Sequence, residues 1–172
     1  MKKETIAKIF SFLEEKEDRN PPRKWVNLIK KLKLIKELIK ELETLPDGMP
    51  YVVEGSLDLS SSGIKKLPNN LHVVGDLFLF DCGELIELPE KLYVGRGLFL
   101  SQTKIKRLPN NLHVGEDLDV QESDIEEIPN NLYVGGSFYL TGTPLEYDGY
   151  TEIDIHKMVI SKGGNSILNI SI

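Results

Sequence analysis

Leucine-proline or isoleucine-proline pairs recur at Leu45-Pro46, Leu67-Pro68, Leu88-Pro89, Leu108-Pro109 and Ile128-Pro129, and the prolines are spaced by 22, 21, 20 and 20 residues. Nothing else in the sequence restricts the fold so severely. A unit this short cannot bury its own apolar residues, so it must be one turn of a stack in which neighbours bury them. The cleanest unit reads LPNNLHVGEDLDVQESDIEEI, with LPEKLYVGRGLFLSQTKIKRL and IPNNLYVGGSFYLTGTPLEY as its relatives.

Alignment of the units separates columns with different physical roles. One column holds Leu57, Leu77, Leu98, Leu118 and Phe138, and two residues on stand Leu59, Leu79, Leu100, Val120 and Leu140. Apolar residues at period two mark a short strand with one buried face. Ile64, Leu85, Ile105, Ile125 and Leu145 form a third column, and Leu71, Leu92, Leu112 and Leu132 a fourth. Val73, Val94, Val114 and Val134 complete the inward set, each followed closely by a glycine that permits a tight turn or a close backbone approach. A unit of this length with one strand leaves no room for a helix on the return path. Each proline also pushes the residue before it toward extended backbone. The spacing therefore predicts stacked coils, with a parallel sheet on one side and extended or short-turn structure on the other.

The pattern L-x-L/V-x-x-S/T-x-I-x-x-L-P-x-x-L over residues 42 to 148 resembles the short bacterial leucine-rich repeat of effectors that pathogens deliver into host cells. Similar LPxNLxVGGxL units occur in bacterial and phage proteins. The resemblance implies an α/β repeat solenoid with a concave parallel β-sheet, an α-helical cap at the N-terminus and a protein partner. Two departures stand out. The family's asparagine, which bonds the neighbouring coil, is replaced by Ser62, Cys82, Thr103, Ser123 and Thr143, whose hydroxyls are expected to form a weaker ladder. The Cys-x-Asp motif of ligase-bearing effectors is missing, since the single cysteine sits in Cys82-Gly83-Glu84 inside a repeat. Ligase activity is not implied.

The expected organisation is a helical cap over residues 1–44, about five coils over 45–148 and a C-terminal cap over 149–172. Trp25, Leu28, Ile29, Leu32, Ile35, Leu38, Ile39 and Leu42 make one helical apolar stripe. The opposite face carries Lys30, Lys33, Lys36 and Lys40. It is a basic surface, but without interleaved aromatic residues it reads as the solvated side of a cap rather than a nucleic-acid site. At the other end HKMVIS, KGGN and SILNISI read as a closing β-hairpin. Its apolar last strand, within residues 157–172, offers a route to a homo-oligomer.

Charge is divided along the chain. Residues 1–44 hold 12 Lys and Arg against 8 Asp and Glu, whereas residues 45–150 hold 7 against 17. Such asymmetry separates surfaces with different partners. The lone Cys82 excludes an intramolecular disulfide. With no apolar run approaching the roughly 20 residues of a membrane span, a cytoplasmic location is expected.

No catalytic, cofactor or metal constellation emerges, and the chain reads as non-enzymatic. SKGGNS lacks the Gly-Lys-Ser/Thr of a phosphate loop, and the dense acids match no calcium-loop spacing. His72 and His113 share a column with Tyr93 and Tyr133, read as a stacking column on the side away from the strands rather than a metal site. The informative positions lie between the strand leucines and must point outward: Asp58, Phe78, Phe99, Asp119 and Tyr139. Phe80 joins them if its strand continues, although the unit runs one residue long there and a bulge is expected at Cys82-Gly83-Glu84. With Asp117 and Glu122 at the border, these residues form a candidate partner-binding face. Aromatic anchors ringed by acids suit a protein with a basic surface. The function this suggests is binding and inhibition of such a partner by a phage or bacterial host-directed protein. A nucleic-acid-binding defence enzyme such as a CRISPR effector is one example, with nucleic acid itself not expected to bind the repeats. The alternative is a structural or assembly protein that self-associates through its last strand.

Overall fold

The computed structural model describes residues 51–165 and 169–172, together with Lys33, Glu37 and Lys40. The chain divides into two compact units, Met1–Glu41 and Leu42–Ile172. In the first, Lys33, Glu37 and Lys40 are helical and exposed, and their spacing places them on one face of a helix. Lys30, Lys36 and the apolar stripe of the expected cap lie outside the described residues, as does Leu45-Pro46.

The second unit is a parallel-strand β-solenoid of about four turns. Each coil contributes two short strands. The first set is β1 (Tyr51–Val53), β3 (Leu71–Val73), β5 (Tyr93–Val94), β7 (His113–Val114) and β9 (Tyr133–Val134), paired in that order as one parallel sheet. The second set is β2 (Leu57–Asp58), β4 (Leu77–Phe78), β6 (Leu98–Phe99), β8 (Leu118–Asp119) and β10 (Ser137–Tyr139). These pair in register, Leu57 with Leu77, Leu77 with Leu98, Leu98 with Leu118 and Leu118 with Phe138. The leucine columns read from the sequence are thus the rungs of a ladder. Leu59, Ile64, Leu79, Leu98, Leu100, Leu118, Val120 and Phe138 are all fully buried.

The first sheet stands where extended or turn structure was expected. Its cause is visible in β3, where Leu71, His72 and Val73 run buried, half-buried, buried. That is a period-two pattern as good as the one around Leu77, in residues that favour a pleated surface. Each coil then turns two corners through one left-handed residue. Ser61, Asp81, Gln102 and Glu122 occupy one corner, at φ 54°, 57°, 60° and 53°. Asn70, Lys91, Asn111 and Asn131 occupy the other, at φ 58°, 59°, 59° and 52°. Asparagine tolerates this region better than most residues, which explains the recurring Asn-Asn after proline.

Hydrogen bonds between residues one coil apart knit the stack. The Asn130 N–H donates to Asn110 Oδ1 at 2.8 Å, and Asn131 Nδ2 donates to Asn111 Oδ1 at 2.8 Å. An asparagine ladder therefore exists, though in the Leu-Pro-Asn-Asn turn and not in the column where the family places it. In that column Thr103 Oγ1 donates to Leu100 C=O at 2.8 Å and Ser123 Oγ donates to Val120 C=O, both inside their own coil. Cys82 reaches across to the coil before it, donating to Leu59 C=O at 3.1 Å and lying 3.8 Å from Ser62 Oγ. The expected hydroxyl ladder is replaced by local turns, because a short side chain three residues past a carbonyl meets it before it meets the next coil.

Close approach of the coils explains the glycines after the valines. A Cβ on Gly95, Gly115 or Gly135 would lie 2.2, 2.0 or 2.1 Å from the carbonyl oxygen of the coil before it. Ordinary side chains are excluded there by contact, not by backbone torsion. The extra residue of the long unit causes no bulge. It is absorbed in a turn at Gly83-Glu84, after the ladder has ended, and the Leu85 N–H closes that turn on Cys82 C=O at 3.1 Å.

The C-terminal cap is not a hairpin. A short helix α1 (Pro144–Tyr147) is followed by α2 (Glu152–Ser161), and β11 (Asn169–Ser171) pairs parallel to β10. Thr151 and Asp154 form a capping box that starts α2, and Ile155 and Val159 bury one helical stripe. Gly163, at φ 80°, and Gly164 end it. HKMVIS is β-branched enough to suggest a strand, yet Ile155 and Val159 stand four residues apart on one helical face and the capping box decides the outcome.

Candidate functional site

The outward column of the second sheet runs Asp58, Phe78, Phe99, Asp119, Tyr139 and Ser171, each in register with the next. Phe78 and Phe99 stack with ring centroids 4.9 Å apart and planes 10° apart. That separation equals the strand spacing. The rings therefore face one another along the sheet and turn their edges to solvent. Phe99 rests on Gly97, where a Cβ would stand 2.6 Å from its Cε2, so a larger residue there would have to displace the ring. Tyr139 is two coils beyond Phe99, with Asp119 between them.

Phe80 lies past the end of β4 but on the same ladder, since its carbonyl accepts the Ser61 N–H at 2.9 Å. It alternates with the buried Leu79 and is 45% exposed, placing it on the same side as Phe78. Its coil-to-coil neighbours are Ser60, Ser101 and Gln121, which makes it the one large apolar group in that outer column.

The carboxylates differ in how much they can offer a partner. Asp119 accepts from Ser101 Oγ at 2.8 Å and from the Gln121 N–H at 2.9 Å, and Asp58 accepts from the Ser60 N–H at 3.1 Å. Both hold the turn two residues on, and an ionised carboxylate accepts at as many as about four sites. Asp117 is different. Its Oδ1 accepts the Ser137 N–H of the next coil at 2.7 Å, as Asp76 accepts the Gly97 N–H at 3.0 Å. These two aspartates bridge coils in a turn, and Asp117 belongs to the scaffold more than to the binding face. Glu122 accepts from Gln102 Nε2 at 2.6 Å in the left-handed corner, off the aromatic column. Of the basic set, Lys33 and Lys40 belong to the other unit, and Lys30 and Lys36 fall outside the described residues.

A second aromatic array covers the first sheet. His72 and Tyr93 approach to 4.2 Å, Tyr93 and His113 stack at 4.6 Å, and His113 and Tyr133 stack at 4.3 Å with planes 4° apart. The stacking column expected from sequence is present, carried on strands instead of away from them. Burial lowers the pKa of His113 below its ordinary value of 6.5. Burial likewise raises the Cys82 thiol, which has no exposed surface and so remains protonated and unreactive. Among the described residues no group of three or more His, Cys, Asp or Glu is placed to hold a metal ion, and no helix is long and apolar enough to cross a membrane.

Ion pairs follow the same one-coil step, with Arg96 to Glu116 at 3.1 Å, Lys106 to Glu126 at 2.7 Å and Arg107 to Glu127 at 3.1 Å. The dense acids between Glu116 and Glu127 thus include three that pair with basic residues of the coil before, which the 20-residue offset between opposite charges would have disclosed. No protein-family model, curated protein or solved structure matches this chain.

Proposed function

We propose that this chain is a non-enzymatic recognition module whose second sheet binds a protein with a basic surface. The observation that carries the reading is the stacked, half-exposed pair Phe78 and Phe99 at the centre of a sheet face, bracketed in register by Asp58 and Asp119. Two phenyl groups on a rigid ladder lose little freedom on binding and present apolar area in a fixed place. Three strand steps separate the two aspartates, about 14 Å. The matching partner carries an apolar group against the ring edges and two cationic side chains at about that separation. The cations go to the carboxylates, because a full negative charge attracts them more strongly than a ring face.

The charge of residues 45–150, with 7 basic against 17 acidic side chains, supports steering toward such a partner. It also suits inhibition by occupation of a basic groove, including that of a host nucleic-acid-binding enzyme. The repeat is further proposed to be of the short bacterial leucine-rich type, supported by its leucine columns and its period. Phe78→Asp and Phe99→Asp in capture experiments from source-cell lysate test the reading. Both variants should retain the circular dichroism of the parent and lose the captured protein. Recovery of the same partner by both folded variants would refute the assignment of this face.

A further inference from the structure

The two sheets end differently at the C-terminal side of the solenoid. In the first sheet Asn165 closes β9 with its side chain. Its Oδ1 accepts the Val134 N–H at 2.9 Å and its Nδ2 donates to Val134 C=O at 2.7 Å. The Asn131 N–H donates to Lys162 C=O at 2.8 Å and the Asn165 N–H donates to Leu132 C=O at 3.0 Å, so that edge is satisfied. The second sheet ends on β11, its outermost strand, with nothing beyond it among the described residues.

The direction of that open edge can be read from the ladder. The Leu140 N–H donates to Ser171 C=O at 2.8 Å, so Asn169 and Ser171 turn their backbone groups toward β10. By the alternation of a parallel ladder, Ile170 turns its N–H and C=O outward. Ile170 and Ile172 also continue the two core columns that begin at Leu57 and Leu59, yet both are half-buried where their predecessors are fully covered. Natural edge strands are guarded by charge, proline or a bulge. The segment 166–172 has no proline and no charged side chain. Beside it lies a shallow depression of about 440 Å³ lined by Tyr150, Ile153 and Ile172 together with Glu146 and Glu152, with Ile153 65% exposed.

We infer that two copies of this chain associate across a twofold axis by antiparallel pairing of β11, with Ile170 opposite its counterpart. In that register the outward N–H and C=O of each Ile170 satisfy those of the other. Asn169 then faces Ser171 of the second copy, polar against polar. The core column that runs from Leu57 to Ile170 continues into that of the other copy, which is the argument for a second copy over a foreign strand. The strand carries no charged side chain and so meets itself without repulsion. Tyr150 and Ile153 widen the contact. The inference is independent of the recognition face, so Phe78→Asp should leave it unchanged.

Sedimentation equilibrium of the full chain tests it. Twice the single-chain mass is expected at high concentration, with dissociation on dilution. In a hydrogen-bonded antiparallel pair the facing Cα atoms are about 5.5 Å apart, within disulfide range. Ile170→Cys should therefore form a covalent dimer on mild oxidation, and the buried Cys82 does not compete. Ile153→Lys, on an exposed helical position, should weaken association at least tenfold without altering the fold. A single-chain mass throughout the concentration series would overturn the inference. Oligomers that keep growing with concentration would overturn the twofold form, as would Ile170→Cys crosslinking no faster than a Lys157→Cys control on α2.

Discussion

Replacement of Gly115 by alanine adds one methyl group to this protein at a place where the coils leave no space for it. The new Cβ would stand 2.0 Å from the Gly95 carbonyl oxygen and 2.8 Å from its carbon. Both atoms belong to backbone in a hydrogen-bonded ladder and cannot rotate away. Relief requires the coils to part by about 1 Å locally, against a strand spacing of about 4.8 Å. The bonds nearest the wedge are the Gly115 N–H to Val94 C=O at 2.9 Å and the Glu116 N–H to Arg96 C=O at 3.0 Å. Two hydrogen bonds at about 1 kcal/mol each and overpacking of roughly 1–3 kcal/mol give a loss of about 3–5 kcal/mol. Gly63→Ala is the control, because a Cβ there meets nothing within 4 Å. It should leave stability within about 0.5 kcal/mol of the parent, or raise it slightly by restricting the unfolded chain. Urea unfolding followed by circular dichroism measures both. If Gly115→Ala and Gly63→Ala unfold at the same midpoint, close approach is not what places glycine in this column.

Other substitutions probe separate parts of the ladder. Leu98→Ala, in the fully buried rung between Leu77 and Leu118, should cost about 2–5 kcal/mol by the same urea assay. Lys91→Asn places asparagine at the left-handed corner where Asn70, Asn111 and Asn131 already stand, and a midpoint increase worth about 0.5–1 kcal/mol is expected. The Cys82 thiol, raised by burial, should resist alkylation at neutral pH until denaturant is added; rapid labelling of the folded chain would contradict its position. His113 has its pKa lowered by burial, so the folded state prefers neutral imidazole. Its contribution to stability is full above the unfolded value of 6.5 and is lost as pH falls below 6.5 through the folded value. Proton NMR should place its midpoint below 6.5, whereas a midpoint above would mean that the faces of Tyr93 and Tyr133 outweigh burial by stabilising the imidazolium.

The leucine columns, the parallel pairing and the outward row from Asp58 to Tyr139 were legible because stacking repeats every error-free column several times. The first sheet was equally written in Leu71, His72 and Val73, whose alternation needed only to be taken as a strand. The cap was harder, since it has no second copy to compare. Its last strand was read as strand, but the choice between antiparallel and parallel rested on whether HKMVIS folded as helix, and Thr151 with Asp154 settled that locally. The role of Asp117 was out of reach. A carboxylate beside a turn looks alike in sequence whether it meets solvent or the Ser137 N–H of the next coil.

The extra residue of the second coil, tucked into the Gly83-Glu84 turn, shows how this architecture can change over evolutionary time. The polar ties between neighbouring repeat coils join positions about one period apart and the others stay within a coil, so whole units can be duplicated or lost and the remaining donors still find acceptors of the same kind. The extra residue at Gly83-Glu84 sits on a side of the coil that carries no ladder, where it breaks no rung. Growth or loss by entire units moves the outward row in steps of one strand, so the spacing between its aspartates changes by whole increments of about 4.8 Å. A lineage built on this unit would tune its reach in quanta.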